Sequence, residues 1–177
     1  YVDDAGDVTV ELTGGGYDRV AASVSWLLGD EFERLSLRGT DAIDGTGNAL
    51  ANRLDGNEND NLLDGGADDD RLYGNAGDDT LVGGEGADLL NGGTGADVFV
   101  FGEDDSPATA TPELAYDIVS DFVTGIDTID LSTIDGGGLP LAAYGETSSA
   151  LKDFASVSAA ASTAMASGSF QVIFVAS

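Results

Sequence analysis

The sequence contains no cysteine and no histidine, and only 6 of its 177 residues are lysine or arginine. Without cysteine, neither disulfide bonds nor thiol chemistry can stabilise the fold or perform a reaction. Without histidine, the chain cannot form H-E-x-x-H zinc sites, Ser-His-Asp triads or Cys-His pairs. The scarcity of basic residues excludes nucleic acid as an expected partner, because phosphate binding needs a basic surface.

Other familiar signatures are also missing from the sequence. It has no G-x-S-x-G motif, no P-loop and no EF-hand loop, and no apolar run is long enough to span a bilayer. We therefore expect no membrane insertion and no enzymatic activity, although paired carboxylates suited to glycoside hydrolysis stay formally open among so many acids. The chain begins at Tyr1 without a signal peptide, so we expect it to be a fragment of a longer protein.

Acidic residues are abundant. The chain has 33 Asp and Glu residues and a net charge of −27, and 25 of the acids are Asp against 8 Glu. The short side chain of Asp suits turns and metal cages better than solvated helix faces. A chain with this charge should repel itself unless cations neutralise it.

A nine-residue unit is repeated six times without interruption between Gly47 and Val100. It has the form G-G-x-G-x-D-x-U-x, in which U is a large apolar residue. Glycine suits tight turns because it adopts positive φ angles at little cost. The first-position residues are Gly47, Gly56, Gly65, Gly74, Gly83 and Gly92. The eighth-position residues are Leu54, Leu63, Leu72, Leu81, Leu90 and Phe99. The sixth-position residues are Asn52, Asn61, Asp70, Asp79, Asp88 and Asp97.

This period predicts a coil of two units. Six residues form a turn and three form a short strand, whose middle residue points into the core because side chains alternate along a strand. Turns two units apart then stack, which places Asp70 beside Asp88 and Asp79 beside Asp97. Oxygen atoms from these turns suit calcium, which takes six to eight oxygen ligands. The alternative is a disordered Gly/Asp-rich linker, but the unbroken apolar column favours the calcium roll.

The last four units show that the chain resembles the RTX (repeats-in-toxin) family; they read GGADDDRLY, GNAGDDTLV, GGEGADLLN and GGTGADVFV. The resemblance implies that turn carbonyls and sixth-position aspartates bind several calcium ions. Asn52 and Asn61 could offer only neutral amide oxygens, while Leu50 and Asn59 replace the fourth-position glycine. Asp68 also replaces that glycine but could add a carboxylate. The implied ligand positions in the last four units are Gly65, Asp68, Asp70, Gly74, Gly77, Asp79, Gly83, Gly86, Asp88, Gly92, Gly95 and Asp97.

The resemblance extends to both sides of the repeats. The segment YDIVSDFVTGIDTIDLSTID at 116–135 is similar to the element that follows the roll in serralysin-type C-terminal domains. It implies that Asp117 and Asp121 close the last site, the alternative being ordinary solvent-facing charge at a strand edge. Residues 1–54 resemble the degenerate rungs of bacterial surface proteins, and there Asp18 falls on the sixth position and Val20 on the eighth.

Four regions are predicted along the chain. Residues 1–44 form degenerate rungs with β-favouring patches at 8–10, 20–28 and 35–37, and residues 45–101 form the calcium-binding roll. Residues 102–147 form a capping β element and loops. Residues 148–177 contain one helix at 148–166, with Leu151, Phe154, Val157 and Met165 at helical spacing, and a strand at 170–175. That helix could pack on another subunit or cover the open end of the roll.

These observations predict an all-β right-handed parallel β-roll with a small β cap and one C-terminal helix. We expect a calcium-binding structural module of a type I-secreted bacterial surface protein, such as an S-layer subunit, adhesin or filament, that folds on binding calcium outside a Gram-negative cell. Its partners would then be calcium, the type I exporter during secretion, and copies of itself or other surface-layer components. The alternative is the noncatalytic C-terminal secretion domain of an exported hydrolase. Trp26 and Tyr17 could line a sugar site, but isolated aromatic residues among strands are more often core or rim.

Overall fold

The structure is a computed structural model that describes residues 1–102 and 117–130 and the backbone of one strand at 172–174. Within these ranges the chain forms strands and turns and no helix. Successive strands alternate between two parallel sheets, which confirms the all-β parallel β-roll. The first sheet contains β1 (Arg19–Ala22), β3 (Arg34–Leu37), β5 (Arg53–Asp55), β7 (Arg71–Ala76), β9 (Leu89–Thr94), β11 (Asp117–Val119) and β13 (Val172–Phe174). The second contains β2 (Trp26–Leu27), β4 (Gly45–Thr46), β6 (Leu62–Ala67), β8 (Thr80–Glu85), β10 (Val98–Val100) and β12 (Thr128–Asp130).

The eighteen-residue coil predicted from the repeat is confirmed by the strand register. In the first sheet Leu54 pairs with Leu72, and Leu72 pairs with Leu90. In the second sheet Leu63 pairs with Leu81, and Leu81 pairs with Phe99. All six eighth-position side chains are fully buried between the sheets, so one apolar residue per unit builds the central core.

The strands from β6 to β9 are longer than the three residues expected. Each has six residues and runs through the first three positions of the following unit, as in Leu62–Ala67. Pairing continues there because glycines stack on glycines, as in Gly66 with Gly84. A Cβ at Gly84 would collide with the backbone of Gly66. Glycine at these positions therefore permits close backbone packing as well as a sharp turn.

The N-terminal coils follow the same path with uneven lengths. β1 pairs with β3 at an offset of fifteen residues and β3 with β5 at nineteen, as in Val20 with Leu35 and Leu35 with Leu54. Val20 is buried, as its eighth-position assignment predicts. The prediction of a strand at 8–10 is wrong, because that segment forms no strand and Val8 and Val10 are exposed. Val2 instead bridges to Ala22 and occupies the edge of the first sheet.

The C-terminal strands extend the roll by a further coil. β11 pairs with β9 and β12 pairs with β10, at offsets of 29 and 30 residues instead of 18. Val119 is buried in line with Leu90, and Ile129 packs beside Phe99 and its neighbour Phe122. The predicted strand at 170–175 is present at Val172–Phe174, where it pairs with β11. The predicted helix at 148–166 and most of the predicted capping element and loops at 102–147 lie outside the described residues.

Candidate calcium sites

The sixth-position side chains of the repeat lie inside the roll. Asp70, Asp79, Asp88 and Asp97 are each at most 2% exposed. An ionised carboxylate removed from water is costly unless hydrogen bonds or a cation compensate for the lost solvation. The position of these four side chains therefore requires such partners.

One oxygen of each buried carboxylate accepts a backbone hydrogen bond from the coil before it. The N–H of Asp70 donates to Oδ1 of Asp88 at 2.8 Å, and the N–H of Asp79 donates to Oδ1 of Asp97 at 3.0 Å. This contact confirms the predicted stacking of turns two units apart. Because the same bond recurs in every coil, the sixth positions form two continuous columns. One column contains Asn52, Asp70, Asp88 and Asp117, and the other contains Asn61, Asp79, Asp97 and Asp127.

The second carboxylate oxygen of Asp70 and of Asp79 has no such partner. Both Oδ2 atoms are buried and accept no hydrogen bond within the described part of the chain. A Cβ at Gly65 would collide with Oδ2 of Asp70 and the carbonyl oxygen of Gly83. At Gly74 it would collide with Oδ2 of Asp79 and the carbonyl oxygen of Gly92 in the same way. Gly65 and Gly74 thus each leave a cradle in which a carboxylate oxygen and a carbonyl oxygen converge.

The chemistry of this cradle fits calcium. All of its polar atoms are oxygens, which are the ligands that a hard divalent cation takes. Among the residues that the structure describes, no group of three or more His, Cys, Asp or Glu side chains gathers to hold a metal. A site here must therefore combine backbone carbonyls with only one or two carboxylates, as the repeat predicts. Gly65, Gly74, Gly83 and Gly92 would supply the carbonyls and the sixth-position aspartates the charge.

Electrostatics show the same need for a cation. Burial, with a smaller contribution from the charge of Asp88, raises the pKa of Asp70 to about 8. Burial together with Asp97 raises the pKa of Asp79 to about 7. Burial also raises the pKa of Asp97. Near neutral pH Asp70 and Asp79 are therefore poised between protonation and ionisation, and a bound divalent cation would favour the ionised form.

The turns approach each other closely at the fourth position of the unit. Gly77, Gly86 and Gly95 have positive φ angles, and a Cβ on each would collide with the turn two units before it. Asp68 holds this position with a φ of 72°. Its side chain is exposed, and its Oδ1 accepts a hydrogen bond from the N–H of Asp69. The structure thus places the Asp68 carboxylate at the outside of the turn, away from the buried columns.

The first two units, residues 47–64, are called the asparagine units here, and the last four, residues 65–100, the aspartate units. In the asparagine units both the amino group and the oxygen of each sixth-position amide form hydrogen bonds within the protein. Asn52 donates from Nδ2 to the carbonyl of Phe32, and its Oδ1 accepts from the N–H of Asn48. Asn61 bonds in the same way to the carbonyl of Ile43 and the N–H of Asn57. Both predicted amide ligands are therefore occupied by hydrogen bonds.

Asp117 and Asp121 lie beside the last two units. Asp117 is buried and continues the first column by accepting from the N–H of Asp88 at 2.9 Å. Asp121 accepts from the N–H groups of Gly92 and Gly93 at 3.0 and 2.7 Å. Its carboxylate thus covers the start of the last turn with two hydrogen bonds.

Two members of the columns were missed by sequence reasoning. Asp127 accepts from the N–H of Asp97 at 3.1 Å and so ends the second column. Its signal was the order D-T-I-D, which repeats the D-x-U-x of the unit from the sixth position onward. Glu33 takes the same place in an N-terminal coil, where its Oε2 accepts from the N–H of Asp18 at 2.7 Å. The predicted ligand Asp18 is half-buried in the coil before that of Glu33, and this bond is made by its backbone.

The two aromatic residues singled out from the sequence differ in how deeply they are buried. Trp26 is half-buried in β2 and packs against the core, while Tyr17 is exposed. The position of Trp26 agrees with a core or rim residue more than with an open sugar site. The described residues also contain no helix that is long and apolar enough to cross a membrane.

Comparison with known proteins agrees with this geometry. Residues 36–142, more than half of the chain, match the family model described as peptidase M10 serralysin C terminal. Comparison with curated proteins gives no match. The matched family is the non-catalytic C-terminal region of serralysin-type peptidases, whose RTX repeats bind calcium. With its stacked oxygen cradles and paired columns of buried aspartates, the chain belongs to the serralysin C-terminal family and is an RTX-type calcium-binding β-roll.

Proposed function

We propose that this chain is a calcium-dependent structural module of a type I-secreted bacterial surface protein and folds after export. The observation that supports this proposal is the burial of ionisable oxygens without hydrogen-bond donors in the aspartate units. In calcium-poor cytosol the charge of these groups opposes folding of the aspartate units, so that part of the chain stays unfolded and competent for export. Calcium outside the cell offsets that charge and stabilises the roll.

The role in a surface protein rests on the shape of the molecule. Parallel coils stack in one direction, so the roll is a spacer whose length depends on the number of units. Such a module supports an S-layer subunit, an adhesin or a filament by presenting attached regions at a fixed distance. It performs no reaction of its own under this proposal.

A second candidate is favoured by the family match. The matched region belongs to the C-terminal part of serralysin peptidases, so the parent protein could be an exported hydrolase with its catalytic domain before Tyr1. The module would then assist folding and secretion of that domain. The two candidates share calcium-dependent folding and differ in whether the folded module assembles with other copies.

The test is a titration of calcium into chelated protein, followed by circular dichroism and light scattering, with magnesium as the control ion. A calcium-specific transition from coil to β structure supports the module, and ordered growth of the particles favours the surface protein. A transition in particles that stay monomeric favours the secretion domain. No calcium-specific transition would contradict both candidates.

A matched pair of variants connects this transition to the proposed sites. Asp79 and Asp78 are adjacent, but Asp79 is buried in the second column and Asp78 is exposed. Asp79→Asn should raise the calcium concentration at the midpoint by about tenfold, equal to about 1.4 kcal/mol, because one cradle loses its charge. Asp78→Asn removes the same charge and should shift the midpoint far less. Equal shifts would show that only net charge matters.

A further inference from the structure

Nearly all of the positive charge of the chain lies on the outer face of the first sheet. The sequence has six basic residues, of which five are arginines. Four of these arginines pair in register across neighbouring strands and form what we call the arginine row: Arg19, Arg34, Arg53 and Arg71. Parallel strands lie about 4.8 Å apart, so the row extends about 14 Å along the roll.

The two middle arginines of the row are held in place by one carboxylate. Asp55 accepts from Arg34 at 2.7 Å and from Arg53 at 2.6 Å, and these arginines hold the pKa of Asp55 below its usual range despite its burial. The guanidinium of Arg53 also lies 4.4 Å from the ring centre of Tyr73. These contacts orient the two side chains and leave other N–H donors of each guanidinium open to a ligand.

Three further arginines on this face have no ion-pair partner among the described residues. Arg19 and Arg71, at the ends of the row, are exposed, as is Arg38 just after β3. Two positive charges share one carboxylate and three more are uncompensated, so the face is strongly basic in a chain that is otherwise acidic.

A polar cleft lies beside the row. It has a volume of about 220 Å³ and is lined by Arg34, Arg38, Asp55, Ser36, Asn75, Leu37 and Gly56. The hydroxyl, amide and carboxylate groups of this lining can bond to ligand hydroxyls, and its two arginines can bond to an anionic group. The cleft is smaller than the usual pocket of a drug-sized ligand, so it suits one small polar unit.

We propose that this face binds a linear acidic polysaccharide. Its carboxylate or sulfate groups contact the arginine row, because the guanidinium fork matches such oxyanions, and one sugar unit enters the cleft. A linear polymer fits a straight row of regularly spaced charges better than a single free anion does. This site is separate from the calcium cradles and does not depend on the parent protein proposed above.

Two other partners fit these observations less well. Surfaces that bind single-stranded nucleic acid rely on open aromatic faces for stacking, but the ring of Tyr73 beside the row is covered by Arg53. A second copy of this chain, with a net charge of −27 before calcium binds, would place its acidic surface near that of the first, and this repulsion opposes contact between copies through this face. A polysaccharide would place only a few negative charges on the row. Salt screens their repulsion by acidic residues that lie more than about 8 Å away.

The test measures binding of calcium-loaded protein to heparin, a linear sulfated glycan, by calorimetry at about 0.15 M salt. Hyaluronan serves as a carboxylated glycan and dextran as a neutral one. Wild-type protein should bind heparin and hyaluronan but not dextran. The triple variant R19Q/R38Q/R71Q should lose affinity by at least about tenfold, while the corresponding lysine variant should retain part of it because it keeps the charge but loses the fork.

A charge-matched pair tests whether the location of the charge matters. Arg71→Gln and Thr80→Glu each change the net charge by −1 at the seventh position of a unit, but on opposite sheets. Only Arg71→Gln should weaken heparin binding appreciably. Equal weakening by both variants would contradict the proposed site.

Several results would overturn the proposal. One is the absence of heparin binding by wild-type protein, and another is unchanged binding by the triple variant. Displacement of heparin by inorganic sulfate at equal anion concentration would indicate a site for single anions. A change in particle size without a change in heparin binding would indicate a second copy as the occupant. Circular dichroism of the same samples shows whether the roll has folded, so failure of calcium-dependent folding is distinguished from failure of this site.

Discussion

The asparagine units and the aspartate units build the same coil with different chemistry. An amide both donates and accepts, so Asn52 and Asn61 satisfy the backbone of neighbouring turns without help. An ionised carboxylate only accepts, and Oδ2 of Asp70 and of Asp79 is left buried without a donor. The asparagine units therefore satisfy their buried polar groups within the protein, whereas the aspartate units need a cation.

The backbone of the two groups differs as well. In the aspartate units the second residue of each turn has a positive φ, as at Gly66, Asn75, Gly84 and Gly93. The corresponding Asn48 and Asn57 do not, and their N–H groups donate to the sixth-position amide of their own unit. The N-terminal coils also bury apolar side chains outside the repeat, including Phe32, Leu35 and Ile43. We infer that they form a calcium-independent base on which the aspartate units fold.

Removal of calcium should produce the largest difference between the asparagine units and the aspartate units. In chelator, hydrogen exchange measured by mass spectrometry should show lost protection across residues 65–100 and retained protection across residues 19–63. Calcium at 100 times its dissociation constant stabilises the folded state by about 2.7 kcal/mol per site, so the contrast should be large. Magnesium should not restore protection. Uniform loss across both groups would show that the roll is a single cooperative unit.

The pH dependence of the chelated protein should be the next largest effect. The folded-state pKa values of Asp70 and Asp79, about 8 and about 7, lie above the ordinary 3.8. Between these values the folded state binds more protons than the unfolded state, so the free energy of unfolding should increase as the pH falls from about 8 toward about 4. The slope is at most about 1.4 kcal/mol per pH unit for each group.

Circular dichroism of the chelated protein at pH 8 and pH 5 measures this effect as a gain of β structure on acidification. Asp79→Asn provides the control, because its amide does not titrate and its slope should be smaller. With calcium present the sign should reverse, since protons compete with the ion for the same oxygens. A chelated protein that loses stability on acidification would contradict the account of the columns.

Replacing the asparagine of an asparagine unit by aspartate tests the same difference and should change stability by a smaller amount. Asn61→Asp removes the donor to the carbonyl of Ile43, which should cost about 1–3 kcal/mol in chelator. Part of this loss should be recovered in calcium, because the new carboxylate extends the second column. Thermal unfolding with and without calcium measures the difference. Asn59→Asp adds the same charge to the same turn and should show no such recovery.

The ion pairs of the first sheet should give the smallest effect. Asp55→Asn weakens the contacts with Arg34 and Arg53, which are partly exposed, so the expected cost is about 1 kcal/mol or less. The cost should be the same with and without calcium, because Asp55 lies outside the columns. Denaturant unfolding in both conditions checks this. A cost seen only in calcium would mean that Asp55 acts on the calcium sites.

Much of the aspartate region could be predicted from the sequence because its repeat is regular. A strict nine-residue period fixes the pairing of Leu72 with Leu90 and the stacking of Asp70 on Asp88, as the structure shows. Prediction was weaker outside the period. Asp127 was missed because an insertion changes the offset between coils to 30 residues, and the segment at 8–10 was assigned a strand from its apolar pattern alone.

The sequence by itself determined the parallel roll, its apolar column and the oxygen-rich chemistry of its turns, because each follows from residue types at a fixed spacing. The tertiary structure alone decided that the asparagine amides donate to carbonyls of distant turns, as Asn61 does to Ile43. It also decided that the arginines align in one row, since Arg19, Arg34 and Arg53 are separated by unequal numbers of residues. Such contacts depend on the register between coils of different length, which no local pattern specifies.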